Sequence, residues 1–245
     1  MRELAILDEM DAQYIAKLLD SISFLEKSID GLGFCLSEEG DLLSQWRGYA
    51  ADATGVSIGF SKEYLIELAD ANFTSKKFSS TLQNVKYSKP EQMELLKPSY
   101  VEIKKLIDEG AFKNPLYKGL LTIGSEEEIE KENARIKELF SKLSINVLFL
   151  FEKLFVLKSF AFREEREWRL ISLLPNGKYD AEYRATVGRI IPYREFDLQT
   201  LSSKIIEKVV IGPRNLTPPH VVEGLLAKSG FEDVEVTKSS ATYRG

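Results

Sequence analysis

Residues 164–174 read EEREWRLISLL, and the reading of this stretch decides the fold. Alternating charged positions lead into the apolar run Leu170-Ile171-Ser172-Leu173-Leu174, the pattern of a strand entering a core. On a strand with a side-chain period of two, Glu165, Glu167 and Arg169 share one face, while Arg166, Trp168 and Leu170 share the other. Two carboxylates and a guanidinium at the mouth of a buried strand are costly unless paired or used. Glu165 and Glu167 are therefore the candidate catalytic acids, with Arg169 beside them.

The pattern stays extended downstream. Strands are expected at Trp168–Leu174, Arg184–Ile191 and Ile205–Ile211, punctuated by Pro175-Asn176-Gly177, Pro192 and Gly212-Pro213. A helix over Thr217–Ser229, with Pro218 and Pro219 in its first turn, precedes a last strand at Phe231–Thr237. Upstream, Ile15, Leu18, Leu19, Ile22, Leu25 and Ile29 give Asp11–Ile29 a one-face helical spacing, ended by Gly31 and Gly33. Phe34-Cys35-Leu36 reads as a short buried strand, Val56–Phe60 as another, and Leu82–Tyr87 as a third. Ser61 caps a helix over Lys62–Ala71.

Two helical segments, Glu91–Glu109 and Glu126–Ser159, lie between these sets of strands, with irregular chain over Gly110–Gly124. Ser125 and Glu128 have capping-box spacing. The fold class predicted is α+β: one domain over residues 1–245, with a mixed, mostly antiparallel sheet and a helical insertion at 88–160. Ile145–Phe162 is so apolar that it needs burial on more than one side, on one by the sheet and on the other by the Glu91–Glu109 helix or the second subunit of a homodimer.

A chain of 245 residues with 44% hydrophobic and 29% charged residues is long enough to enclose a core. A net charge of −5, without a basic tail or stripe, argues against nucleic acid as a generic partner. One cysteine, Cys35, and one histidine, His220, exclude an intrachain disulfide and multi-cysteine or His-cluster metal sites. The flanks of Cys35 favour a buried small residue. Glu152, Lys153 and Lys158 interrupt the most apolar run, so no membrane span is expected, and the acidic start lacks a signal-peptide pattern. A cytoplasmic location is the default expectation. No dinucleotide fingerprint, phosphate loop or zincin helix occurs in the sequence.

Gln45-Trp46-Arg47-Gly48-Tyr49 puts an amide, an indole, a guanidinium and a phenol within five residues. Such a set can recognise a nucleotide, with aromatic faces stacking on a ring and Arg47 gripping phosphate. Trp46 and Tyr49 also stand at helical spacing and equally suit a core. A carboxylate at Glu167 could steady a ribose while charge develops. Alternatively, Glu165 or Glu167 pairs with Arg47, Arg169 or Arg184 in a buried ion network.

The segments CLSEEGDLLSQWRGYA and GVSIGF, then FREEREWRL, IIPY and VVIGP, together resemble a bacterial domain-of-unknown-function family, number 2971. The resemblance runs from about Gly33 to Arg244. Fuller members open with a His-Tyr-Thr strand and an Asn-Asp-Pro turn, and their later Glu-x-Glu motif is similar to that of ADP-ribosyltransferases. Glu165-Arg166-Glu167 matches this motif, while the two opening motifs are missing here, as in a shortened version. The resemblance implies NAD as substrate and glycosyl transfer or NAD hydrolysis as chemistry; with the residues read above, the expected cleft is lined by Gln45, Trp46, Arg47, Tyr49, Glu165, Glu167, Arg169 and Arg184. The alternative is a non-catalytic nucleotide-binding or regulatory module that keeps only the cleft.

Overall fold

The structure, a computed structural model, describes residues 1–74, 80–117, 125–175, 181–195, 198 and 204–243. Its helices are α1 (Arg2–Leu7), α2 (Ala12–Ser28), α3 (Leu43–Tyr49), α4 (Lys62–Thr74), α5 (Lys89–Asp108), α6 (Glu126–Leu154) and α7 (Pro219–Lys228). Its strands are β1 (Ile29–Ser37), β2 (Val56–Phe60), β3 (Ser80–Asn84), β4 (Glu167–Pro175), β5 (Glu182–Thr186), β6 (Arg189–Tyr193), β7 (Ile206–Ile211) and β8 (Glu235–Lys238). The class is α+β, with mostly antiparallel pairings, and the chain divides into two compact units.

The first unit, built on Met1–Asp30 and Lys86–Phe160, is helical. Leu96, Tyr100, Ile103 and Ile107 recur at three- and four-residue spacing along α5, as do Leu139, Leu143, Val147 and Leu150 along α6. These stripes meet Leu18 and Ile22 of α2 and Leu4 of α1 in one core. The N-terminal helices thus share a core with the helical block of residues 88–160. Capping boxes start both long helices: Ser88 with Glu91 on α5, and Ser125 with Glu128 on α6. Burial, with Asp8 adding to it, pushes the Tyr100 phenol up to about 12.

The apolar run expected to need cover on several sides is split. Val147, Leu150 and Phe151 are buried, whereas Ile145 and Phe149 are exposed on α6. Phe160 and Phe162 fall in a separate 3-10 turn, Phe160–Glu165, and are also exposed. Among the described residues, no helix is long and apolar enough to cross a membrane.

The second unit, built on Gly31–Val85, Ala161–Leu173 and the described residues from 181 on, holds the strands. One sheet has the order β1-β4-β3, so β4 is its middle strand, with Leu82 opposite Leu170 and Asn84 opposite Trp168. A second sheet has the order β2-β7-β8, antiparallel on one side and parallel on the other. Parallel β7 and β8 need a crossover, and α7 supplies it after the Pro218-Pro219 start. Helix α4 buries Tyr64, Leu65, Leu68 and Ala69 against Leu170.

Three strand expectations are corrected. Arg184–Ile191 is not one strand but most of the β5–β6 hairpin, turned at Val187-Gly188, where Gly188 takes a φ of +83°. Gly31 and Gly33 do not end a helix; they lie inside β1, which leaves Phe34 and Cys35 exposed. The third strand begins at Ser80 and ends at Asn84, short of Tyr87.

A strained turn joins α3 to β2. Ala51, Asp52 and Ala53 have φ of +47°, +54° and +69°, a left-handed conformation costing about 1–2 kcal/mol per residue. The neighbours hold it in place: Ala53 N donates to Trp46 O at 3.0 Å, and Arg214 N donates to Ala53 O at 3.0 Å. Gly212 N donates to Gly55 O, also at 3.0 Å. A Cβ on Gly212 would lie 2.6 Å from Ala53 O and 2.8 Å from Gly55 O, both backbone atoms. Gly212→Ala is therefore expected to lower stability by about 1–3 kcal/mol in urea unfolding.

Candidate functional site

The second unit contains a cleft of about 660 Å³, within the usual range of small-molecule sites. β1 contributes Phe34 and Cys35, α3 contributes Gln45, Trp46 and Tyr49, and β4 contributes Trp168. Phe34 meets Phe60 edge to face, with ring centroids 5.7 Å apart. The Lys62 ammonium, on the first residue of α4, sits over the Trp168 ring at 4.2 Å from its centroid. Phe34, Trp46, Tyr49, Phe60 and Trp168 thus put aromatic rings among the residues that line the cleft, and one ring already carries a cation.

Gln45, Trp46 and Tyr49, expected in one site, line this cleft together. Their degrees of burial differ: Tyr49 is 77% exposed, while Trp46 is 2% exposed and packs with Ala53 and Val210. The Trp46 indole N–H donates to Asp41 Oδ1 at 2.7 Å, which fixes the ring in the cleft wall. Asp41 also accepts from Ser240 N at 2.7 Å, from Ser240 Oγ at 2.9 Å and from Ser239 Oγ. Burial alone would push the Asp41 carboxyl up, but the hydrogen bonds from Ser239, Trp46 and Ser240 outweigh it and hold the group below the usual range.

The other expected site residues lie elsewhere. Arg47 stands over the Tyr243 ring, 5.4 Å from its centroid. Arg184 is exposed on the hairpin, opposite Ile191. Glu165 does not share a strand face with Glu167: it closes the 3-10 turn, and Arg166, with a φ of +43°, breaks the alternation before β4 begins. The Glu165 carbonyl accepts from Ser37 Oγ at 2.8 Å, and the Arg166 side chain pairs with Glu39.

Glu167 and Arg169 do share a face, and they bind each other. Arg169 Nε donates to Glu167 Oε1 at 2.7 Å and Nη2 donates to Oε2 at 3.1 Å, a two-point pairing with Glu167 buried. Neither residue lines the cleft, because the alternation that presents Trp168 to it turns both of them to the other face. Of the partners open to Glu167 in the sequence, Arg47, Arg169 and Arg184, it is Arg169 that pairs with it, two positions along the same strand.

The reading centred on the acids passed over Trp168, Phe34 and Lys62. The signal for Trp168 was the alternation itself, which put it opposite the carboxylates. Lys62 carried no signal, since its place over an indole depends on how α4 meets β4. Among the described residues, no group of three His, Cys, Asp or Glu side chains could hold a metal ion.

The model of the family described as Protein of unknown function (DUF2971) matches residues 45–170, from the α3 wall of the cleft to Leu170 of β4. No curated protein and no solved structure matches the chain.

Two outcomes follow from this geometry. Glu167→Gln takes the negative charge out of a buried two-point pair with Arg169. It is expected to destabilise by about 3 kcal/mol in denaturant unfolding, with a strong coupling to Arg169→Met in a double-mutant cycle. Asp41, whose carboxyl is held low, contributes stability above its unfolded pKa that is lost as pH falls through its folded one. Stability of the wild type should fall below about pH 4, the usual carboxylate range, and Asp41→Asn should flatten that acid limb when unfolding is followed by tryptophan fluorescence.

Proposed function

The chain belongs to the DUF2971 family of proteins of unknown function, and on that premise we propose a non-catalytic recognition module that binds a planar ring in the Trp168 cleft. The observation that carries this reading is one cleft of about 660 Å³ walled by Phe34, Tyr49 and Trp168. Flat aromatic walls favour flat ligands, since stacking adds to the burial of apolar area. A nucleobase or nicotinamide ring has the right shape, so the nucleotide class stays within the proposal.

Glycosyl transfer centred on Glu167 has less support. That chemistry requires a carboxylate facing the bound ribose, and Glu167 gives both oxygens to Arg169 on the face away from the cleft. Phosphate recognition by Arg47 or Arg184 is likewise not part of the reading, because neither lines the cleft. A bacterial, cytoplasmic setting belongs to the proposal through the sequence resemblance.

Calorimetric titration with adenosine and nicotinamide tests it. Saturable binding of at least one is expected in the wild type and in Glu167→Gln, with at least a tenfold loss in Trp168→Ala. Release of nicotinamide from NAD that disappears in Glu167→Gln would overturn the non-catalytic reading. Failure of every ring ligand to bind would overturn the cleft as a site.

A further inference from the structure

The balance of charge in the cleft selects among ring ligands. Among the described residues its charged lining has four carboxylates, on Glu38, Glu39, Glu63 and Glu207, against two ammonium groups, on Lys62 and Lys208, and no arginine takes part. Three of the six are engaged in salt bridges or hydrogen bonds: Lys208 pairs with Glu235 at 2.9 Å, Glu39 pairs with Arg166, and Glu63 accepts from Ser61 Oγ at 3.2 Å. Among the described residues, the carboxylates of Glu38 and Glu207 have no ion-pair or hydrogen-bond partner, and both are exposed. Glu38 directly follows β1 and Glu207 sits on β7, so the uncompensated negative charge comes from two sheets.

The sixth charge, Lys62, marks what the wall prefers. Its ammonium is placed over the Trp168 ring, against the negative face of the π-system, rather than on any of the nearby acids. A phosphate entering the cleft would meet like charge, with one engaged lysine and one ring-bound lysine to offset it. An organic cation would meet two free carboxylates and several ring faces.

We propose that the cleft takes a planar organic cation, a ring carrying a quaternary nitrogen or an amine, and that Lys62 is its internal competitor for Trp168. This rests on the cleft being a ligand site and adds its charge selectivity. The Lys62 ammonium covers the ring; a bound cation takes that place, and the flexible lysine stem swings aside. The interaction is non-covalent, and no bond is made or broken.

A pair of probes matched in shape tests it: 1-methylquinolinium, a permanent cation, and quinoline, neutral at pH 7.5, titrated into the full chain by calorimetry. The cation is expected to bind about tenfold tighter, the scale of one desolvated cation–π contact or charge pair. Lys62→Met, which frees the Trp168 face while keeping the stem, should raise affinity for the cation by about threefold or more. Glu207→Gln should lower it without changing quinoline. AMP should bind no better than adenosine. Equal affinity for the two probes, a loss of cation binding in Lys62→Met, or preference for AMP over adenosine would overturn the charge selectivity while leaving the cleft a ring site. Failure of quinoline, 1-methylquinolinium, adenosine and nicotinamide alike would overturn the site itself, and the selectivity with it.

Discussion

Strand β4 is the middle strand of its sheet, and a middle strand has no spare side on which to hide a charge. Its period of two sends Trp168 one way and Glu167 and Arg169 the other. With both faces occupied, a carboxylate at Glu167 is tolerable only with a partner, and Arg169 supplies one from the same face of the same strand. Among the described residues Trp168 is the only β4 side chain that lines the cleft, and the separation of ionic from aromatic residues follows from one backbone rule. A shift of register by one residue would put the ion pair into the cleft and the indole among the buried charges.

The second constraint is the left-handed turn at Ala51–Ala53. Three such residues in a row persist only because surrounding groups fix them: Arg214 and Tyr243 both reach Asp52, and Gly212 leaves the space a side chain would fill. The same region anchors the cleft, since Ala53 N bonds to the Trp46 carbonyl and Asp41 holds the Trp46 indole. Arg47, expected to grip phosphate, is drawn into this support by the Tyr243 ring, which it shares with Arg214.

What could be read in the sequence was what is local. The capping boxes at Ser125 and the Ser61 cap, the stripe of α2, strand β2 and the proline start of α7 all follow from neighbours within four residues. Hairpin β5–β6 was missed because Val187-Gly188 sits inside a run of β-formers, where a single glycine also reads as a bulge. The site was half legible. Gln45, Trp46 and Tyr49 come together because one short helix carries them, whereas Glu165 was lost to a left-handed Arg166 that no periodicity announces. Lys62 over Trp168 and Asp41 bonded to Ser240 are long-range pairings, 106 and 199 positions apart, and no local pattern encodes either.

The support of the cleft wall has a consequence for biosynthesis. Asp41 and Asp52 take partners 199 and 191 residues further along the chain, in Ser240 and Tyr243. Ribosomes add about 5–20 residues per second, so roughly 10–40 s separate the two halves of each contact. Until the later half emerges, the turn after α3 must bear its unfavourable backbone without the groups that hold it. The segment that shapes the cleft is therefore made early and locked late, and a bulky fusion placed just after Tyr243 would act on the cleft through its fastening rather than through its walls.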